Sequence, residues 1–169
     1  MNNQFLIYGA TGFVGEAIAR MAVEQGMQPV LVGRSESKLA ALAGELSADF
    51  KVAPLDDAEK LREVFDTASV VLNCAGPFKY TYQPVVEACL ATQTHYLDIT
   101  GEIPVFQALA DLDQVAGSQG VMLLPGVGFD VVPTDCLAVH LKNRLSSATQ
   151  LTIGFQSTGP GGLPPGTQR

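Results

Sequence analysis

The chain has 169 residues, 47% hydrophobic and 16% charged, enough to bury most of its apolar surface as one globular domain. A formal net charge of −7 argues against general binding to nucleic acid or anionic membranes, because a polyanion requires an excess of Lys and Arg. No run of ~18 apolar residues marks a transmembrane segment, and MNNQFLIYGA lacks the basic flank of a secretory signal, so a cytoplasmic protein is expected.

Short apolar runs alternate with longer stretches of helical period, the pattern of βαβ units around a parallel sheet. FLIYGA (5–10) predicts the first strand, followed by a helix over 14–25 with Val14, Ile18, Met21 and Ala22 on one face. QPVLVG (28–33) precedes a helix over 36–46 carrying Leu39, Leu42, Ala43 and Leu46. FKVAPL (50–55) precedes one over 57–66 with Leu61, Val64 and Phe65. SVVLNCA (69–75) leads to a helix over 83–92, entered at Pro84, with Val85, Val86 and Cys89. THYLDI (94–99) is followed by a single helix over 103–118 with Val105, Leu109, Leu112 and Val115. GVMLLPG (120–126) is the sixth strand, 134–145 reads as helix, and QLTIGF (150–155) as a seventh strand.

The expected fold is therefore a Rossmann-type, doubly wound α/β domain over residues 1–149. Its sheet should be mainly parallel, with helices on both faces and the first strand central. STGPGGLPPGTQR, with four glycines and three prolines in thirteen residues, is expected to form no packed element. Residues 150–169 are expected to begin a further, truncated domain. Cys74, Cys89 and Cys136 show neither CxxC nor a Cys/His cluster, so buried thiols are expected, with no metal site and no disulfide framework.

GATGFVG places Gly9, Gly12 and Gly15 between the first strand and the first helix. Glycine there allows a tight turn and close approach of a pyrophosphate to the backbone. Free amides at the helix start, from Phe13, Val14 and Gly15, then face the phosphates, and Thr11 adds a hydroxyl. The alternative is a glycine-rich helix start used only for packing.

About twenty residues after the turn, an NAD-binding enzyme usually carries an acid for the ribose 2′-hydroxyl. This chain has Arg34 there, nineteen positions after Gly15, with Ser35 next and Lys38 one turn on. A guanidinium fork fits a phosphate, so NADP is expected in preference to NAD. Ser35 is also a candidate N-cap, with Lys38 on the solvated face of its helix; the two roles are compatible. One of Asp56 and Asp57 should cap the helix near Ala58, and Asp56 is also a candidate for the adenine edge. At the end of the fourth strand, the small residues Ala75 and Gly76, followed by Pro77, let a nicotinamide ribose pass close to the sheet. A simple turn at Gly76-Pro77 is the competing reading.

Taken in order, GATGFVG, VGRSESKL, NCAGPF, HYLDITGE and PGVGFDVVPTD resemble the NADP-binding domain of the saccharopine dehydrogenase-like oxidoreductases. That group includes saccharopine reductases, carboxyspermidine dehydrogenases and trans-acting enoyl reductases, and YLDITGE and GFDVVPTD look closest to the enoyl reductase-like branch. The resemblance implies hydride transfer between NADPH and a small-molecule C=N or C=C acceptor. It also implies a second α+β domain bearing much of the substrate pocket and often the dimer contact. A homodimer is thus a possibility, and the chain alone is expected to be inactive.

Tyr80 and Asp130 are the candidate proton donors, each with a structural alternative as packed aromatic or turn residue. Tyr82 is a weaker candidate of the same kind. His95 and His140 read as structural, and Asp98 as a hydrogen-bonding scaffold residue at the end of the fifth strand. A short-chain dehydrogenase or epimerase would need a Tyr-x-x-x-Lys pair. Tyr8, Tyr80, Tyr82 and Tyr96 are followed at that spacing by Gly12, Pro84, Val86 and Thr100. A non-catalytic NADP-binding sensor or scaffold shares every cofactor motif and stays open.

Overall fold

The computed structural model describes residues 4–129 and 131–154. Six parallel strands form one sheet in the order β3-β2-β1-β4-β5-β6. They are β1 (Phe5–Tyr8), β2 (Pro29–Gly33), β3 (Asp49–Val52), β4 (Val70–Asn73), β5 (His95–Asp98) and β6 (Leu123–Leu124). The helices are α1 (Phe13–Glu24), α2 (Glu36–Leu46), α3 (Ala58–Phe65), α4 (Phe78–Thr92), α5 (Ile103–Ala110), α6 (Asp113–Ser118) and α7 (Val132–Arg144).

Side chains of a strand alternate between the faces of its sheet, so a strand buried on both sides needs apolar residues at every position. β1 meets this with Leu6, Ile7 and Tyr8, all buried. Leu6 and Tyr8 join Val30, Val32 and Val71 in a core with Leu61, Val64 and Phe65 of α3, Val85, Val86 and Cys89 of α4, and Val105 and Leu109 of α5. Ile7 and Leu31 form the opposite core with Ala19 of α1 and Leu39, Leu42 and Ala43 of α2. Helices therefore cover both faces, and β1 lies between β2 and β4. The chain reverses its direction of winding there. That places a crevice at the carboxyl ends of the central strands.

Five expectations are corrected. Residues 150–154 form no strand, and Phe155 lies outside the described residues. α4 begins at Phe78 rather than near Pro84, which sits inside the helix. The predicted 103–118 helix breaks at Asp111–Leu112 into α5 and α6, turning Ala116 inward and leaving Val115 exposed. Met21 faces solvent, as does Cys136 on α7, a helix with no buried residue; only Cys74 and Cys89 are buried thiols. Among the described residues, no helix is long and apolar enough to cross a membrane.

Of the two adjacent acids, Asp57 caps α3, its carboxylate accepting from the Lys60 amide at 2.9 Å. Asp57→Ala should cost about 1 kcal/mol of stability, the usual value of an N-cap. Asp56→Ala should change stability by no more than about 0.5 kcal/mol. Thermal denaturation separates them, and equal losses would contradict the assignment.

Candidate functional site

A cleft of about 640 Å³ opens at the carboxyl ends of β1, β2, β3 and β4. Tyr8, Gly9, Thr11 and Gly12 line it from β1, and Gly33 and Arg34 from β2. Pro54, Leu55 and Asp56 close the β3 side, and Cys74, Ala75, Gly76 and Thr81 the β4 side. This is the crevice that the strand order places at the reversal between β1 and β4.

The glycine turn is built for backbone contact. Gly9 has φ +80°, and a Cβ on it would meet the Ala75 amide nitrogen at 2.8 Å. A Cβ on Gly15 would run into the Gly9 carbonyl oxygen, so the first turn of α1 can rest directly on the strand end only with glycine there. Gly12 takes the N-cap position with no side-chain cap, leaving the first amides of α1 without an intrahelical acceptor. An anion placed at that helix start would be favoured by the free N–H groups and by the helix dipole.

Arg34, at the end of β2, is exposed and forms no ion pair among the described residues. Opposite it, Asp56 lines the same end of the cleft. The Tyr8 hydroxyl donates to the Ala53 carbonyl at 2.9 Å, tying β1 to the chain leaving β3. Burial pushes the Tyr8 phenol up to about 12; Arg34 pulls it back and Asp56 adds to the rise. Burial likewise raises the Cys74 thiol to about 12, with the Asp98 charge adding to it, so Cys74 is a neutral wall residue at physiological pH.

The saccharopine dehydrogenase NADP-binding domain family matches residues 5–124, which takes in all six strands and the whole cleft lining. The chain belongs to that family. Its relatives include a saccharopine dehydrogenase-like oxidoreductase from Rattus norvegicus, 31% identical over 95% of this chain and 42% of the relative. A trans-acting enoyl reductase from Mycobacterium leprae (strain TN) is 34% identical over 83% of this chain and 35% of that protein. The apo saccharopine dehydrogenase (L-Glu forming) of Saccharomyces cerevisiae has the same fold, with TM-score 0.74 at 19% identity over 86% of this chain and 32% of that one. The chain thus spans about two fifths of the length of the first of these relatives.

In this NADP-binding domain, Gly9, Thr11, Gly12, Arg34, Asp56, Ala75 and Gly76 converge on one cleft. Gly15 is buried beneath the turn, while Phe13 and Val14 belong to the first turn of α1, with the Phe13 side chain 74% exposed. Ser35 takes the N-cap position of α2 without a side-chain capping bond, and Lys38 is exposed one turn on; neither lines the cleft. Pro77 is exposed at the N-cap of α4.

Tyr80 stands out in solvent on the first turn of α4, with the Lys79 ammonium 4.8 Å from its ring centroid, and is not part of the lining. Tyr82 packs against the core. Asp130 lies outside the described residues. His95 is structural, its Nδ1 accepting from the Met122 amide at 3.0 Å, and His140 is exposed on α7.

Sequence reasoning missed Tyr8, Gly33, Pro54, Leu55, Cys74 and Thr81 as cleft residues, and Asn73 beneath them. Asn73 carried a usable mark, a polar side chain ending an otherwise apolar strand, fully buried here. Its Oδ1 accepts from the Ala75 amide at 3.0 Å, while the Thr81 hydroxyl donates to the Ala75 carbonyl. The wall residue Ala75 is therefore held at both of its backbone polar groups.

Proposed function

We propose that the chain binds NADP(H) in this cleft and serves as the cofactor domain of an oxidoreductase. The reaction would be hydride transfer between NADPH and a small-molecule C=N or C=C acceptor. Arg34 carries the choice of cofactor: a cation stands at the β2 end of the cleft, where a 2′-hydroxyl would call for an acid. The residues fit the cofactor piece by piece. The turn of Gly9, Gly12 and Gly15, in which added Cβ atoms would fill the cradle, takes the pyrophosphate. Arg34 takes the 2′-phosphate, and Asp56 with Pro54 and Leu55 takes the adenosine side. The nicotinamide half then runs toward Ala75 and Gly76.

When bound, the cofactor supplies the hydride, and the chain's own contribution is to bind and orient it. The acceptor carbon has to be held about 3–3.5 Å from the donor. That requirement extends to the part of the relatives' length beyond this span, so residues 1–169 alone are expected to bind NADPH without oxidising it. The relative named an enoyl reductase favours a C=C acceptor.

Calorimetric titration with NADPH and NADH tests the cofactor assignment. NADPH should bind at least about tenfold more tightly, a difference of ~1.4 kcal/mol. Equal affinities would remove Arg34 from its role. Absence of binding by both would remove the cofactor reading altogether. NADPH consumption with an enoyl thioester or an imine tests the turnover expectation, and rapid oxidation by this chain alone would overturn it.

A further inference from the structure

HYLDITGE is a distinctive motif that the cleft lining does not use. Its side chains nevertheless form a continuous polar ribbon. From Tyr96 onward every second residue joins it, carrying the strand period past the end of β5 through Asp98, Thr100 and Glu102. The Tyr96 hydroxyl accepts from Asn73 Nδ2 at 3.4 Å and donates to Asp98 Oδ2 at 2.7 Å. Asp98 Oδ1 accepts from the amides of Thr100 at 2.9 Å and Gly126 at 2.8 Å. The Thr100 hydroxyl accepts from the Glu102 amide at 3.0 Å. The Glu102 carboxylate then receives the first amides of α4, Phe78 at 2.7 Å and Lys79 at 2.9 Å.

Two features make this more than packing. Asp98 is fully buried and forms no ion pair among the described residues, an expensive way to hold the carboxyl end of an interior strand that apolar residues could fill. Every branch also terminates on backbone: Ala75 through Asn73, Phe78 and Lys79 through Glu102, and Gly126 through Asp98. Ala75 to Lys79 is the stretch where β4 hands over to α4, flanking the end of the cleft opposite Arg34.

We propose that Tyr96, Asp98 and Glu102 are positioning residues that fix the nicotinamide-side wall of the cleft. The inference rests on the cofactor reading above. With the Ala75 amide and carbonyl both engaged, the wall presents its Cβ and the bare backbone of Gly76 at a fixed distance from the glycine turn. The ribbon thus governs how the nicotinamide half is seated, while the adenosine half depends on Arg34 and the β3 side. The hydrogen-bond direction is set by Asp98: its carboxylate only accepts, so the Tyr96 hydroxyl donates toward it and leaves its lone pairs for Asn73. That orients the Asn73 amide with Oδ1 on Ala75.

The test compares 2′,5′-ADP, which carries only the adenosine half, with NADPH, on wild type, Tyr96→Phe and Glu102→Gln. Tyr96→Phe keeps the ring and removes the hydroxyl. Glu102→Gln acts at the surface-side end of the ribbon and serves if the buried substitution prevents folding. In a variant with wild-type circular dichroism, 2′,5′-ADP should bind within about twofold of wild type, and NADPH about tenfold more weakly. The emission of the reduced nicotinamide in the saturated complex should shift toward that of free cofactor, which a merely structural role would not produce. Equal weakening of both ligands, or unchanged binding and emission in both variants, would overturn the proposal. Failure of wild type to bind 2′,5′-ADP would instead bring down the cofactor reading beneath it.

Discussion

Replacing Arg34 with alanine should weaken NADPH binding by about 1.5–3 kcal/mol, the range for hydrogen bonds to a charged group. That is roughly a 10- to 150-fold rise in Kd. NADH affinity should change little, because NADH has no 2′-phosphate for the guanidinium to meet. Arg34 is exposed and forms no ion pair among the described residues, so its loss strands no buried charge and should not disturb the fold. Asp56 lines the same end of the cleft, and without Arg34 its negative charge would be uncompensated beside the phosphate. Arg34→Lys should recover part of the loss: the charge returns, but the planar two-pronged geometry does not. Titration calorimetry of wild type and both variants reads the effect directly. An unchanged NADPH affinity in Arg34→Ala would refute the role.

Gly15→Ala should cost about 1–3 kcal/mol of folding stability, and with it the turn proposed to hold the phosphates. The added methyl would collide with the Gly9 carbonyl oxygen and lie 2.9 Å from the Gly9 carbonyl carbon, all backbone atoms that cannot swing aside. Relief requires α1 to lift from the end of β1, which moves the first-turn amides out of position. For a chain of this size the melting temperature should fall by roughly 2–12 °C. Gly44, within α2, supplies the internal control: nothing lies within 4 Å of a Cβ there, and its backbone is helical. Gly44→Ala should stabilise by about 0.5–1 kcal/mol, because alanine loses less conformational freedom on entering a helix. Opposite signs for one and the same substitution are the expected result in thermal melts. Comparable stability of Gly15→Ala and wild type would show that the turn is not the tight support described.

The first three βα units were legible because period-2 and period-3.6 apolar patterns alternate cleanly there, with glycine at the turn where backbone meets backbone. The start of α4 was not. Pro84 resembles the first residue of a helix, a position proline favours. The true start, six residues earlier, is capped by the Glu102 carboxylate from the far side of β5. A cap that arrives from another strand has no local signature. Thr81 was missed for the same reason, since its contact with Ala75 exists only if the helix already runs through residue 81. The supposed seventh strand fails on different grounds. QLTIGF alternates properly, but a strand needs a neighbour for its backbone groups, and residues 150–154 pair with none among the described residues. Arg34 and Asp98, by contrast, were readable as residue types at strand ends, where an open α/β sheet collects its ligand contacts.

A second concavity, of about 540 Å³, lies between α7 and residues 148–152, lined by Val139, Leu141, Leu145 and Leu151 among others. It is mostly apolar and has neither a glycine turn nor a helix start directed into it, so it lacks the features that hold a dinucleotide. Assigned amide chemical-shift titration with NADPH discriminates between the two concavities and bears most directly on where the cofactor goes. Saturable shifts are expected at Gly9, Thr11, Gly12, Arg34, Asp56, Ala75 and Gly76, with Val139, Leu141 and Leu145 unmoved. Shifts confined to α7, or none at the glycine turn at saturating NADPH, would contradict a cofactor site at the β1–β4 reversal.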